Sequence, residues 1–161
     1  MQFDAMVEVP MGSRNKYELD HETGRIKLDR TLFTATAYPC DYGFVPDTLA
    51  EDDDPLDVLI IVEQPTFPGC VIRVRPIAVF WMRDEKGPDA KILCVPSDNP
   101  RQDHLQDREQ VASHLLDEIE HFFAVYKDLE PGKSSDVRGW EGREEAERLI
   151  EDARKRFQAG G

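Results

Sequence analysis

Five of the seven residues from Glu51 to Asp57 are acidic, and five aliphatic residues, Val58-Leu59-Ile60-Ile61-Val62, follow without a break. An aliphatic run seeks burial, whereas carboxylates need water or countercharge. The chain must therefore seat an apolar strand in its core and gather acids at the strand's mouth. No aliphatic run is longer, and a membrane-spanning helix would need about 20 apolar residues. Asp52 and Asp54 are two apart, so in extended chain they face one side. Pro55 fixes its own φ and offers no N–H, so the chain can turn there without losing a ladder bond. Asp57 then adds a third carboxylate. Three convergent carboxylates repel one another unless cations lie between them, and hard oxygen donors of this kind suit Mg2+, Mn2+ or Ca2+. An EF-hand does not fit, because Asp57 stands where that loop needs glycine and the flanks read as strand. A merely solvated acidic loop is the competing reading.

The pattern around this feature is α+β. Phe3, Ala5, Val7 and Val9 alternate at period two, and Pro10-Met11-Gly12 ends the strand. Lys16–Asp20 and Arg25–Leu28 flank His21-Glu22-Thr23-Gly24, a hairpin signal in which His21 reads as an exposed turn residue. An irregular connection is expected from Thr31 to Pro55, and a connection of that length in a small domain is usually functional. Asp57–Glu63, Cys70–Arg83 and Ala90–Val95 read as buried strands. Leu115, Leu116, Ile119, Phe122, Phe123 and Tyr126 mark one face of a helix, with Ser113 as its N-cap. Asp128–Gly139 reads as a loop and Trp140–Phe157 as a second helix. Its apolar stripe is Ala146, Leu149, Ile150, Ala153 and Phe157, with Glu144–Arg148 and Glu151–Lys155 pairs on the wet side. Short strands followed by helices imply a small barrel or strongly twisted sheet.

Charge narrows the partners. With 20 basic and 33 acidic residues the net charge is -13, which disfavours nucleic acid and anionic membranes. The N-terminus has neither a basic region nor an apolar one of the kind an export signal carries. Cys40, Cys70 and Cys94 have no metal-ligand spacing and read as reduced, buried thiols of a cytoplasmic protein.

A second acidic pair weakens the solvated-loop reading. Asp84 and Asp89 bracket Glu85-Lys86-Gly87-Pro88, and a hairpin there would bring the two carboxylates together. Lys91 would share the face of Asp89, while Lys86 reads as solvated. Other cations and phenols recur at strand and helix ends: Lys16 beside Glu18, Arg30, Tyr42, Tyr126 and Lys127. Ammonium and guanidinium groups donate to phosphoryl oxygens, and a Tyr hydroxyl adds a neutral donor.

In this order the segments resemble the soluble family I inorganic pyrophosphatases of the short bacterial, actinobacterial-like type. The anchor is Asp52-Asp53-Asp54-Pro55-Leu56-Asp57, which matches the signature D-x-D-P-x-D. Further matches are Lys16-Tyr17-Glu18, Asp29-Arg30, Tyr38-Pro39-Cys40-Asp41-Tyr42-Gly43, Asp84 to Asp89-x-Lys91, and His121-Phe122-Phe123 running into Tyr126–Lys133. The resemblance covers nearly the whole chain. It implies one domain over 1–161, a small OB-like twisted β-barrel with flanking C-terminal helices, assembled as a homohexamer. It implies hydrolysis of pyrophosphate to two orthophosphates with several Mg2+ ions per site, for which Mn2+ or Zn2+ could substitute. Asp52, Asp57, Asp84 and Asp89 would ligate metal, with Glu8 as an outer ligand. Asp54 would act as base, with Asp89 as the alternative. Lys16, Arg30, Tyr42, Lys91, Tyr126 and Lys127 would grip the phosphates, and Glu18 would orient Lys16 or a water. The rival from another class is a non-catalytic divalent-cation-binding module, which has no use for ammonium groups among its ligands. An acidic protein that docks a basic partner is a third reading.

Overall fold

The computed structural model describes residues 1–160. Nine strands and two helices follow in order: β1 Phe3–Val9, β2 Asn15–Asp20, β3 Arg25–Thr31, β4 Asp41–Phe44, β5 Asp57–Ile60, β6 Val71–Asp84, β7 Gly87–Pro88, β8 Lys91–Pro96, α1 Ser113–Val125, β9 Ser135–Gly142 and α2 Arg143–Gln158. The main sheet runs β1-β4-β5-β8-β6, and β6 pairs again with β1, so five strands close into a ring. This is the expected α+β, OB-like barrel. Closure removes the exposed edges that would otherwise template aggregation. The 14-residue β6 makes it possible, since its first residues pair β1, its middle pairs β8 and its end pairs β9. The hairpin β2–β3 forms a separate two-stranded sheet beside the barrel mouth.

The aliphatic run lies where its composition demands. Val58, Leu59 and Ile60 are fully buried. Leu59 belongs to a core cluster with Ile119, Phe122 and Phe123 of α1, whereas Val58 and Ile60 belong to one with Ala146, Ile150 and Ala153 of α2. Both faces of the strand are covered, which explains why the sequence there is continuously apolar rather than alternating. β5 and β8 are parallel and pair Asp57 with Lys91.

Several local expectations need correction. The stretch from Thr31 to Pro55 contains β4, whose four residues are all buried. Gly43 permits it, because a Cβ there would lie 1.8 Å from the Met6 carbonyl oxygen. Residues 135–142 are strand β9 rather than loop and helix, held by pairing with β6 despite glycines and charges that disfavour strand. Helix α2 consequently starts at Arg143. Ser113 is not the cap of α1; the chain enters through Ala112, which makes no side-chain cap bond. Arg148 binds Glu145 and Asp152 in place of Glu144, and Lys155 does not pair with Glu151 among the described residues. Phe157 is exposed, and Cys70 is only half-buried.

Candidate active site

The acidic run is a tight turn rather than extended chain. Asp53 adopts φ 65, the Ala50 N–H donates to the Asp54 carbonyl at 2.8 Å, and the Asp54 N–H donates to Asp52 Oδ1 at 3.1 Å. Aspartate tolerates this left-handed conformation better than most residues. The turn leaves Asp52 and Asp54 on one side, as the extended reading anticipated for a different reason. With Asp57 from the start of β5, they line a single cavity of about 340 Å³. The same cavity collects Glu8 from β1, Lys16 and Glu18 from β2, Arg30 from β3, Tyr42 from β4, and Asp84, Asp89 and Lys91 around the β6–β8 connection. Tyr126 and Lys127, from the end of α1, complete it. Every residue singled out from the sequence as a site residue therefore meets in one place.

Lys91 is the centre of this cavity. Its ammonium is 1% exposed and lies 2.9 Å from Asp57, 3.2 Å from Asp89 and 2.9 Å from the Tyr42 hydroxyl. It also sits 5.0 and 5.1 Å from the ring centroids of Tyr42 and Phe123. Burial opposes its charge, but Asp57 and Asp89 outweigh burial and raise its pKa well above the ordinary lysine value. Burial also raises Asp89, against the pull of Lys91. Glu8 accepts the Leu19 N–H at 2.8 Å, yet burial, with Asp57 nearby, lifts it to about 7. Asp52 is raised by desolvation and by the neighbouring Asp54 and Asp89 charges. The carboxylates thus sit where their charges are costly, and among the described residues no three of them are already drawn into a closed ligand cluster. Lys91 supplies part of the countercharge that the sequence reading gave entirely to metal.

The other cations are held by acids at the wall. Lys16 lies 3.0 Å from Glu18 and 3.3 Å from Asp29. Arg30 lies 2.5 Å from Asp29, and its Nε is 2.9 Å from buried Glu130, close enough for an ion pair but poorly aligned as a hydrogen bond. Lys127 is 3.4 Å from Glu85 and 3.6 Å from Asp84. Glu85 also accepts the Ser134 N–H at 3.2 Å and lies 3.7 Å from Lys133. Burial works against the Glu85 charge, but its backbone donors and Lys127 prevail and lower it to about 2. Burial raises the phenols of Tyr42 and Tyr126, so both stay protonated donors at neutral pH. Glu85, Glu130 and Lys133 escaped sequence reasoning as contributors, because each acts through a tertiary pairing that no spacing announces. Lys86 is exposed at the rim, as expected. His21 is exposed in its turn, packs edge-on against Phe44 and lines a smaller adjoining cavity with Glu8 and Asp54.

The donor set fits a divalent metal. The carboxylates Glu8, Asp52, Asp54, Asp57, Asp84 and Asp89, of hard oxygen character, line the cavity together with the cation-paired Glu18, Asp29 and Glu85, and no thiol or imidazole does. Fixed cations interleave with them. Such a mixture of acids and cations suits a small, multiply charged anion held together with divalent cations. A family model described as inorganic pyrophosphatase matches residues 5–158. The inorganic pyrophosphatase of Streptomyces coelicolor is 62% identical over 161 residues, covering 100% of this chain and 99% of that one. That of Methanosarcina acetivorans is 55% identical over 152 residues, covering 94% and 90%. Among solved structures, inorganic pyrophosphatase from Thermus thermophilus superposes with a TM-score of 0.96 at 46% identity, covering 98% of this chain and 91% of that one. The Helicobacter pylori enzyme gives 0.96 at 40% identity, covering 98% and 94%. The chain belongs to the inorganic pyrophosphatase family.

Proposed function

We propose that this chain hydrolyses pyrophosphate to two orthophosphates in a Mg2+-dependent reaction centred on the cavity around Lys91. The observation that carries this reading is the convergence there of carboxylates from five separate segments with buried and half-buried cations. Glu8, Asp52, Asp57, Asp84 and Asp89 would hold the metal, several ions per site, with Mn2+ or Zn2+ as substitutes. Mg2+ supplies Lewis-acid neutralisation of phosphoryl oxygens and lowers the proton affinity of water.

The chain's own groups do the rest. Lys16, Arg30, Lys91 and Lys127 donate to the phosphoryl oxygens and exchange their present carboxylate partners for substrate as it enters. The Tyr42 hydroxyl accepts from Lys91, which leaves its own proton free to point into the cavity. Tyr126 offers a second neutral donor. Asp54 takes the proton of the attacking water. Among the described residues its carboxylate has no hydrogen-bond or ion-pair partner, whereas the alternative base, Asp89, is engaged by Lys91. Glu18 holds the Lys16 ammonium in place.

A pure cation-binding module would not bury a lysine between its own ligands, and this argues for the enzyme. On the same reading the chain acts as a single domain over 1–161, in the cytoplasm, as a homohexamer. Exposed Leu28, Phe33, Phe67 and Leu129 give each copy apolar surface to cover, and no described helix is long and apolar enough to cross a membrane. The test is orthophosphate release from pyrophosphate before and after chelation. Release that falls to background and returns with Mg2+ supports the proposal. Metal binding without release would favour the cation-binding module. Sedimentation velocity tests the hexamer separately.

A further inference from the structure

The β4–β5 ladder ends in an unusual way beside the acidic turn. Phe44 pairs with Asp57, and one step further the Val45 N–H donates to the Leu56 carbonyl at 2.9 Å. The reciprocal bond, from the Leu56 N–H to the Val45 carbonyl, would complete an antiparallel closed pair. Instead the Thr48 hydroxyl stands between them. It accepts the Leu56 N–H at 3.0 Å and donates to the Val45 carbonyl at 2.6 Å. Thr48 is 1% exposed, so both bonds are shielded from bulk solvent.

We propose that Thr48 is a positioning residue that sets the metal affinity of the carboxylate turn, an inference that rests on the Mg2+-dependent reading above. The hydroxyl wedges open the last rung of the ladder. That opening aims the chain from Asp54 to Asp57 into the cavity. The acidic turn is closed locally by its own bonds, Ala50 N–H to the Asp54 carbonyl and Asp54 N–H to Asp52 Oδ1, but these do not set how the turn joins β5, and that junction is where the hydroxyl acts. Pro46 and Pro55 contribute no N–H, Asp47 sits at φ 59 in the left-handed region, and the acids from Glu51 to Asp54 are exposed. The outer face is tied to α2 by the Leu49 N–H, which donates to the Ala153 carbonyl at 3.0 Å, and by Arg156, which donates to the Leu49 carbonyl at 3.4 Å and lies 3.9 Å from Glu51. Without the hydroxyl, Leu56 and Val45 can close directly on one another, and this would draw Leu56 inward immediately before Asp57. A hydroxyl both donates and accepts, so serine can replace threonine here, but valine, of nearly the same shape, can do neither.

The test is Mg2+ titration by calorimetry, without substrate, on full-length wild type, Thr48→Val, Thr48→Ala and Thr48→Ser, each checked by circular dichroism. Loss of a group bonded directly to a metal ligand typically weakens metal binding about 10- to 100-fold, and Thr48 acts one step further out, through the backbone next to Asp57, so a loss near the lower bound, about tenfold, is expected. The expected result is that Thr48→Val and Thr48→Ala lose this much Mg2+ affinity while Thr48→Ser stays within about threefold of wild type. The Mg2+ concentration for half-maximal orthophosphate release should shift in parallel, with KM for pyrophosphate at saturating Mg2+ little changed. Folded Thr48→Val or Thr48→Ala binding Mg2+ like wild type overturns the proposal and leaves the enzymatic reading standing. If neither hydroxyl-free variant folds, the bond holds the fold rather than the site, and the proposal also falls. Wild-type protein that binds no Mg2+ and releases no orthophosphate overturns the underlying reading and this inference with it.

Discussion

The β4–β5 ladder carries an aspartate at each end, and the two ends behave differently. At one end Asp41 is completely buried. It accepts the Met11 N–H at 2.8 Å, the Thr66 N–H at 3.2 Å and the Thr66 hydroxyl at 2.5 Å. Neutral donors saturate it, and it ties two loops to the strand. At the other end Asp57 opens on a cavity, shares one ammonium with Asp89 and faces Glu8, whose own charge is disfavoured. Both acids follow from short motifs in the same stretch of sequence. What separates structure from function is whether the carboxylate's needs are already met: Asp41 is complete, whereas Asp57 and its neighbours remain available to a cation and a substrate.

The largest expected effect falls on turnover at the available end. Asp54→Asn removes the proposed base and should lower orthophosphate release by about 10²- to 10⁴-fold, with an unchanged urea midpoint. A matching fall in the urea midpoint would mean that Asp54 is structural after all. Lys91→Met sits at the meeting of both behaviours, because it strips the half-buried carboxylates of Asp57 and Asp89 of their buried countercharge. It should cost about 3–5 kcal/mol in urea unfolding, as well as activity. A loss below about 1 kcal/mol would show that the pair is hydrated and weakly coupled. Asp41→Asn should cost about 1–3 kcal/mol of stability, while the folded fraction keeps its rate. A large rate loss in fully folded protein would erase the distinction between the two ends.

The smallest effect concerns an acid that does not line the cavity. Asp107 accepts the N–H groups of Arg108 at 2.8 Å and Arg143 at 3.0 Å, and so ties the start of α2 to the short 3-10 turn at Arg108–Gln110. Asp107→Ala should cost about 1 kcal/mol. The Arg143 N–H, against a small burial penalty, holds the Asp107 pKa below its ordinary value. Its stabilisation is therefore full above the unfolded carboxylate pKa of about 3.9 and is lost as pH falls through the depressed folded value. Wild type and Asp107→Ala should converge in stability under acid. A difference that persists unchanged there would show that the carboxylate's charge plays no part.

The sequence made some regions plain and hid others for physical reasons. β1, the β2–β3 hairpin, β5, β6 and β8 announce themselves because each has period-two or continuous apolar character over enough residues. β4 is four residues between prolines, and β9 is rich in charge and glycine. Only the neighbouring strands hold them extended. The residues singled out for the site do gather in one cavity, because Asp52 to Asp57 and the Asp84-to-Lys91 stretch keep their spacing whatever surrounds them, but the wall acids and cation Glu85, Glu130 and Lys133 were not legible. Lys91 as the buried hub was not legible, since burial depends on the parallel pairing of Asp57 with Lys91 across the barrel. Thr48 was silent for the same reason, because a threonine in a loop looks like any turn residue until Val45 and Leu56 are brought to either side of it.

The central claim is that the open end of the β4–β5 ladder is a metal-dependent pyrophosphate site. Its most direct test is orthophosphate release from pyrophosphate with Mg2+, measured on wild type and Asp57→Asn at equal folded concentrations. The account predicts Mg2+-dependent release by wild type and a loss of about 100-fold or more in Asp57→Asn. Near-normal release by folded Asp57→Asn would contradict it.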